Sequence, residues 1–289
     1  MLFSEFALLC EKIEALASRL EMRDLIADLL PGLTPDDLPI FVRFIRGLIF
    51  PDWSSAHLGI GPTLLYDAVA YVAGWKRSEV IALVNRTGDA GLAVEHLLKE
   101  KTQMSLFAEE LTLGDVYATF LRMADIAGAQ SQKEKLRNAK LLYSNASPLD
   151  GRYLTRLMLE ELRIGVGEGS VRDAIAIAFQ VSSDSVNRAH QVMNDLGEVA
   201  RIASVDPDAL LNVKIELFRP VKMMLAQGGR SRRWLQAQAR SVQSTNMMAA
   251  GSSFTNPATM LPSTPAGLKI SPLHFPMSLN SSQTSFQAM

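Results

Sequence analysis

Residues 161–179 read Glu-Leu-Arg-Ile-Gly-Val-Gly-Glu-Gly-Ser-Val-Arg-Asp-Ala-Ile-Ala-Ile-Ala-Phe, and these residue types at this spacing suit contact with an anion. A helix running into Leu162 meets three alternating glycines, Gly165, Gly167 and Gly169. Ser170 has a side-chain acceptor for a first-turn amide and is read as the N-cap of a new helix, whose apolar face carries Ala174, Ile175, Ala178 and Phe179. A side-chain-poor loop feeding a helix N-terminus lets backbone N–H groups approach a phosphate, and the helix dipole favours negative charge there. Arg163 and Arg172 flank the loop and would supply cationic side chains. Gly167 is expected to need a positive φ, which a branched residue resists. Glu168 lies inside the same loop and must face away if an anion is to enter. Three glycines between helices also make a plain tight turn, which is their commoner use.

Two basic clusters accompany the loop. Arg152, Arg156 and Arg163 are spaced 4 and 7 apart, so a continuous helix would carry them on one face. Lys133, Lys135, Arg137 and Lys140 form the second cluster. A solvated helix face explains such charges equally well. Taken with the glycine loop, they outline a surface that could follow a duplex backbone. No other chemistry assembles. The histidines (His57, His96, His190, His274) are far apart and share no metal-ligand spacing with Cys10, and no nucleophile triad or carboxylate pair stands out. Cys10 sits in an apolar helical pattern as a small core residue.

The elements that must position these residues are nearly all helical. Phe6, Leu9, Ile13, Leu16 and Leu20 make one stripe, ending near Pro31-Gly32. Leu64/Leu65/Ala68/Val69/Val72, Val116/Tyr117/Phe120/Leu121/Ala124 and Val192/Met193/Leu196/Val199/Ala200 make others. Thr34-Pro35, Ser147-Pro148 and Asp206-Pro207 each place a capping residue before a first-turn proline. Val213–Leu217 alone alternates, and is read as an extended linker leaving the helices. The expectation is an all-α, multi-helix domain of two lobes, 1–105 and 106–210, joined near Lys99–Ser105. No period of 30–45 residues recurs, against a solenoid. With 48% hydrophobic residues and a net charge of −1, the chain reads as soluble and globular. No apolar run is long enough to span a membrane, and Met1-Leu-Phe-Ser-Glu-Phe lacks the basic start of a signal peptide. One cysteine fits a reducing, cytoplasmic setting.

The wording of the chain carries a resemblance. Ser147-Pro148-Leu149 leading into Tyr153-Leu154, then Leu162-Arg163-Ile164-Gly165-Val166-Gly167 and Asp173–Phe179, resemble the N-terminal DNA-binding domain of ATP-dependent DNA ligases, especially archaeal ones. Pro51-Asp52-Trp53, Leu58-Gly59-Ile60-Gly61 and Thr87-Gly88-Asp89 belong to the same likeness. Pro220–Ala226 resembles the junction to a ligase catalytic domain. The resemblance covers residues 1–226. It implies an all-α domain that grips duplex or nicked DNA in the minor groove without reading bases, in replication, repair and recombination. With that implication, the glycine loop and the basic clusters make Arg152, Arg156, Lys133, Lys135, Arg163, Arg172, Gly165, Gly167, Gly169 and Ser170 the expected DNA contacts. It further implies a monomer, a possible sliding-clamp partner, and ATP and Mg2+ for the full-length family.

Beyond residue 226 the resemblance stops. None of the ten lysines begins a Lys-x-Asp-Gly motif, whose lysine takes AMP in that family, so the chain is expected to be inactive alone and to hold no cofactor. All thirty acidic residues lie before residue 228, which leaves a body of −6 and a tail of +5. Residues 227–289, rich in Ser, Thr, Gln, Met, Ala and Pro, suit a disordered extension. They also suit a frameshifted reading frame, which the stop in mid-motif favours. Two other readings stay open: a helical module that binds protein partners, and a non-functional truncated product.

Overall fold

The three-to-four stripes do fold as helices in the computed structural model, which describes residues 1–100, 109–128, 130–217 and 219–222. In chain order these are α1 (Phe3–Glu14), α2 (Arg19–Leu29), α3 (Asp37–Ile45), α4 (Pro62–Ala73), α5 (Arg77–Thr87), α6 (Ala90–Lys99), α7 (Leu113–Asp125), α8 (Ser131–Asn145), α9 (Pro148–Met158), α10 (Glu168–Ala178), α11 (Ser183–Met193) and α12 (Leu196–Val205). Two 3-10 segments, Leu30–Gly32 and Pro207–Asn212, follow α2 and α12. No strand forms among the described residues; an isolated antiparallel bridge joins Leu2 to Thr112. Residues 223–289, including most of the expected junction and all of the expected tail, lie outside the described residues, as do residues 101–105 of the expected joint between lobes.

Local chemistry sets the boundaries, and several differ from expectation. Ser147 accepts the amide of Asp150 while Asp150 reaches back to the Ser147 amide, a reciprocal cap that starts α9 with Pro148 in its first turn. The stripe from Phe6 to Leu20 is not one helix. Ser18 caps α2 by accepting the Glu21 amide, and Leu20 is left 62% exposed. The stripe from Val192 to Ala200 is likewise broken, because Asn194 takes a left-handed φ of 50° and Asp195 caps α12. Asp206-Pro207 opens a 3-10 turn in place of an α-helix.

The helices do not sort into sequential lobes. α12 lies on α3, α10 on α2, α8 on α4 and α9 on α6, so each half of the chain is covered by the other. One continuous hydrophobic core results. At its centre the ring of Phe6 lies 5.5 Å from Phe3, 6.1 Å from Phe41 and 6.0 Å from Phe44, the last two edge-on. Small residues let the α6–α9 pair close up. A Cβ on Gly91 would lie 2.8 Å from the Arg152 carbonyl oxygen, and one on Gly151 would strike Leu98. That tight crossing fixes the end of α9, and with it the start of the glycine loop.

Candidate nucleic-acid interface

The loop between α9 and α10 is built from both ends. At the C-terminus of α9, Glu160 takes a left-handed φ of 57° and its amide reaches the Leu157 carbonyl, while the Glu161 amide reaches Arg156. The chain then turns through Arg163 (φ 57°) and Gly165 (φ 76°), while Leu162 and Ile164 bury their side chains. Gly167 has φ −87° and ψ 157°, ordinary extended backbone, so the expected positive φ belongs to Gly165 and not to Gly167. Gly165 and Gly167 are exposed, and nothing lies within 4 Å of where a Cβ on Gly167 would be.

Helix α10 begins earlier than expected. Gly167 is the N-cap and Ser170 lies inside the first turn. Glu168 takes the first helical position, where a carboxylate suits the positive end of the dipole. The consequence bears on anion contact. A serine cap would fill an amide with its own hydroxyl, whereas the Gly167 cap offers no side-chain acceptor. The first helical bond of α10 runs from the Val171 amide to the Gly167 carbonyl, so the amides of Glu168, Gly169 and Ser170 precede the helical ladder.

The flanking arginines differ. Arg172 donates to the Asn187 side-chain oxygen at 3.0 Å and makes no ion pair among the described residues. Arg163 is 51% exposed, pairs with Glu161, reaches the Gly88 carbonyl at 3.5 Å and lies 4.0 Å from Asp89. Arg163 is exposed and Arg172 half-buried. Glu168 does not point into solvent. Its carboxylate meets Lys222, accepts from Arg46 at 3.1 Å and lies 3.9 Å from His190 Nδ1. Burial pulls its pKa up, but the Lys222 hydrogen bond and the surrounding cations bring it below the ordinary value.

Arg152 and Arg156 are not on that surface. α9 ends before Arg163, so the three arginines share no helix face. Arg156 is 4% exposed and clamped by Asp89 at 2.8 Å and Glu14 at 3.0 Å. It also reaches the Leu162 carbonyl at 3.5 Å, which ties the glycine loop to the core. Arg152 is held by Glu14 at 2.7 Å and Glu95 at 3.4 Å. Desolvation is the strongest single influence on Glu14 and Asp89 and raises their pKa values, but the Arg156 hydrogen bonds and charge, with the Tyr153 hydroxyl at Glu14 and the Leu92 and Gly91 amides at Asp89, together bring both below the ordinary value. The second cluster divides similarly. Lys133 and Arg137 are exposed, whereas Lys135 is buried with its ammonium on the Leu58 carbonyl at 2.6 Å. Lys140 lies 3.6 Å from the centre of the exposed Tyr71 ring.

Arg46, His190 and Lys222 border the loop and escaped the sequence reading. They sit 122, 22 and 54 positions from Glu168, and no local spacing links them. Asp89 was visible only as part of the Thr87-Gly88-Asp89 turn; its partner Arg156 lies 67 residues away. Beside the loop an open cleft of about 490 Å³ is lined by Leu58, Tyr66, Glu160, Glu161 and Arg163 among others. Among the described residues no group of three or more His, Cys, Asp or Glu could hold a metal ion, and no helix is long and apolar enough to cross a membrane.

Residues 2–176 match the family described as DNA ligase N terminus. A DNA ligase of Methanocorpusculum labreanum is 58% identical over 229 residues, 79% of this chain and 42% of that protein. The corresponding figures for Methanoculleus marisnigri are 59% identity over 229 residues, 79% and 42%. An Archaeoglobus fulgidus DNA ligase is 45% identical over 229 residues, 78% of this chain and 41% of its own length. The chain therefore spans about two-fifths of the length of these curated relatives. The match over most of the helical body, with relatives this similar, shows that the chain belongs to the DNA ligase N-terminus family.

Proposed function

We propose that the helical body binds duplex or nicked DNA without reading its sequence. The glycine loop and the first turn of α10 contact a phosphate, and Arg163 and Arg172 act from either side. One observation carries the reading: an exposed loop ends in a helix whose N-cap has no side chain to occupy its amides, with one exposed and one half-buried guanidinium beside it. Phosphate contacts of this kind position a protein on DNA and carry no sequence information. Lys133, exposed on α8, would add to the same electrostatic attraction. Arg152, Arg156 and Lys135 serve the interface by holding the loop and its neighbours in place. The name of the relatives' enzyme, DNA ligase, supports DNA as the partner.

A ligase's complete chemistry is not assigned to this chain, whose sequence has no Lys-x-Asp-Gly motif. ATP, Mg2+ and strand joining belong, on this reading, to the remaining part of the family's polypeptide. A monomeric state, a sliding-clamp contact and a cytoplasmic site of action are carried over with the family as further parts of the proposal.

The test is the double variant R163A/R172A. Neither side chain belongs to the core, and Arg172 gives up only its bond to Asn187, so helical content should hold. Affinity for duplexes of unrelated sequence should fall by a common factor. The salt slope should drop by roughly one to two units, since each phosphate that is no longer neutralised removes about 0.9. Unchanged affinity and slope in the folded double variant would sink the phosphate reading. They would favour a protein-binding module, for which the Arg163–Glu161 pair is the supporting observation.

A further inference from the structure

Residues 219–222 return to the helical body after the last 3-10 turn. The Lys222 amide donates to the Gln191 carbonyl at 2.9 Å, and its ammonium meets the Glu168 carboxylate. The Arg219 guanidinium lies 4.9 Å from the centre of the Trp53 ring. Glu168 is held from the other side by Arg46, which also grips Asp52 through two contacts of 2.7 and 3.2 Å. The buried imidazole of His190 faces the same carboxylate at 3.9 Å. The segment is thus fastened across the end of α3, the start of α10 and the last turn of α11, and the fastening carboxylate belongs to the first residue of α10.

That residue adjoins the amides to which the proposed function brings a phosphate. Two anions cannot share one helix N-terminus without repulsion, and both seek the same cations. Lys222, the more exposed of the two cations, can turn from Glu168 to a phosphate there, while the buried Arg46 stays with Asp52. We infer that Glu168 and Lys222 form a latch that competes with DNA phosphate. Without DNA the carboxylate engages the two cations and keeps residues 219–222 against the helices. A phosphate on the Gly169–Ser170 amides weakens the pair and releases the segment. The inference rests on the phosphate reading, and linkage makes it reciprocal: whatever opens the latch must tighten DNA binding.

The experiment measures hydrogen–deuterium exchange in peptides covering 219–222, with and without a duplex, in the full chain and in E168Q and K222Q. Arg46 keeps Asp52 in E168Q, so that variant should stay folded. Exchange at the Lys222 amide should be slow in the free wild type, and faster in both variants and in the DNA complex. E168Q should also bind duplex roughly fivefold more tightly at low salt, the effect of removing one like charge a few ångströms from a phosphate, and the gain should shrink as salt rises. Unchanged exchange in E168Q would overturn the latch. Faster exchange in E168Q with no response to DNA in the wild type, and no gain in affinity, would overturn the competition. Failure of the underlying reading has its own signature: R163A/R172A would bind DNA like the wild type while E168Q still lost protection.

Discussion

Gly165 and Gly167 look alike in the sequence and demand different things of the fold. Gly165 sits at φ 76°, where a side chain is strained whatever space surrounds it, whereas Gly167 is extended with nothing near its missing Cβ. Gly165→Val should therefore cost about 1–2 kcal/mol, a drop of some 2–8 °C in melting temperature. Gly167→Val loses a good N-cap residue but adopts no strained backbone, so it should lower the melting temperature less than Gly165→Val, and it should weaken DNA binding, because its branched side chain stands beside the first-turn amides. Equal thermal losses at the two sites would contradict this division. His190 offers a pH-dependent counterpart. Burial first, then the nearby Lys222 and Arg46 charges, lower its pKa from 6.5 to about 4, against a partial counter-pull from Glu168 and Asp52. The unfolded chain then binds the proton more readily, so stability is complete above about pH 6.5 and declines as pH falls towards 4. By pH 5 the loss should reach about 2 kcal/mol, from 1.36 kcal/mol per pH unit. Urea midpoints at pH 7.5 and pH 5 should show it, and His190→Gln should flatten the difference. Nothing in the sequence marks His190 for this role, because the groups that perturb it come from other elements.

At the scale of the helices, capping chemistry was the most legible feature and charge the most misleading. Ser147-Pro148 opens α9 as its residue types require, and the Leu64–Val72 stripe is buried as α4. Arg152 and Arg156 read as a basic face because their partners lie on other helices: Glu14 on α1, Asp89 at the cap of α6 and Glu95 in its middle. Sequence spacing reports what one helix could present, not what a neighbouring helix brings to it. In the folded chain Arg156 ties α9 to α1, to the cap of α6 and to the glycine loop. Arg156→Met fills similar volume but leaves Asp89 without its strongest partner and Glu14 with only Arg152 and the Tyr153 hydroxyl. A loss of about 3 kcal/mol is expected, since removing one member of a buried ion group strands the rest. Duplex affinity measured on the folded protein should change far less than in R163A/R172A. A stable variant with sharply weaker DNA binding would instead return Arg156 to the DNA surface.

For the whole molecule, length, balanced charge and helical periodicity made an all-α body legible, and the wording of the glycine loop made the family legible. The arrangement of the halves was not, because sequence order suggests that neighbours in the chain are neighbours in space. Here α2 and α3 are covered by α10 and α12, and α4 and α6 by α8 and α9. Two buried charge groups cross the same divide: Arg43 of α3 with Asp195 before α12 at 2.6 Å, and Arg156 of α9 with Asp89 before α6 at 2.8 Å. Gly197 of α12 lies so close to α3 that a Cβ there would be 2.6 Å from the Pro39 carbonyl oxygen. Cutting between residues 105 and 106 would therefore expose half a core on each fragment and strand a charge at every crossing. Such exposure is not offset by helix propensity, because helices of nine to fifteen residues are marginal without packing. Fragments 1–105 and 106–224 should each be largely unfolded by circular dichroism at neutral pH, and mixing them should restore helicity at micromolar concentration. The intact chain should lose its helices in one cooperative transition, with the same midpoint by circular dichroism and tryptophan fluorescence. A fragment that folds alone, or two separated transitions, would show that the halves are independent lobes after all.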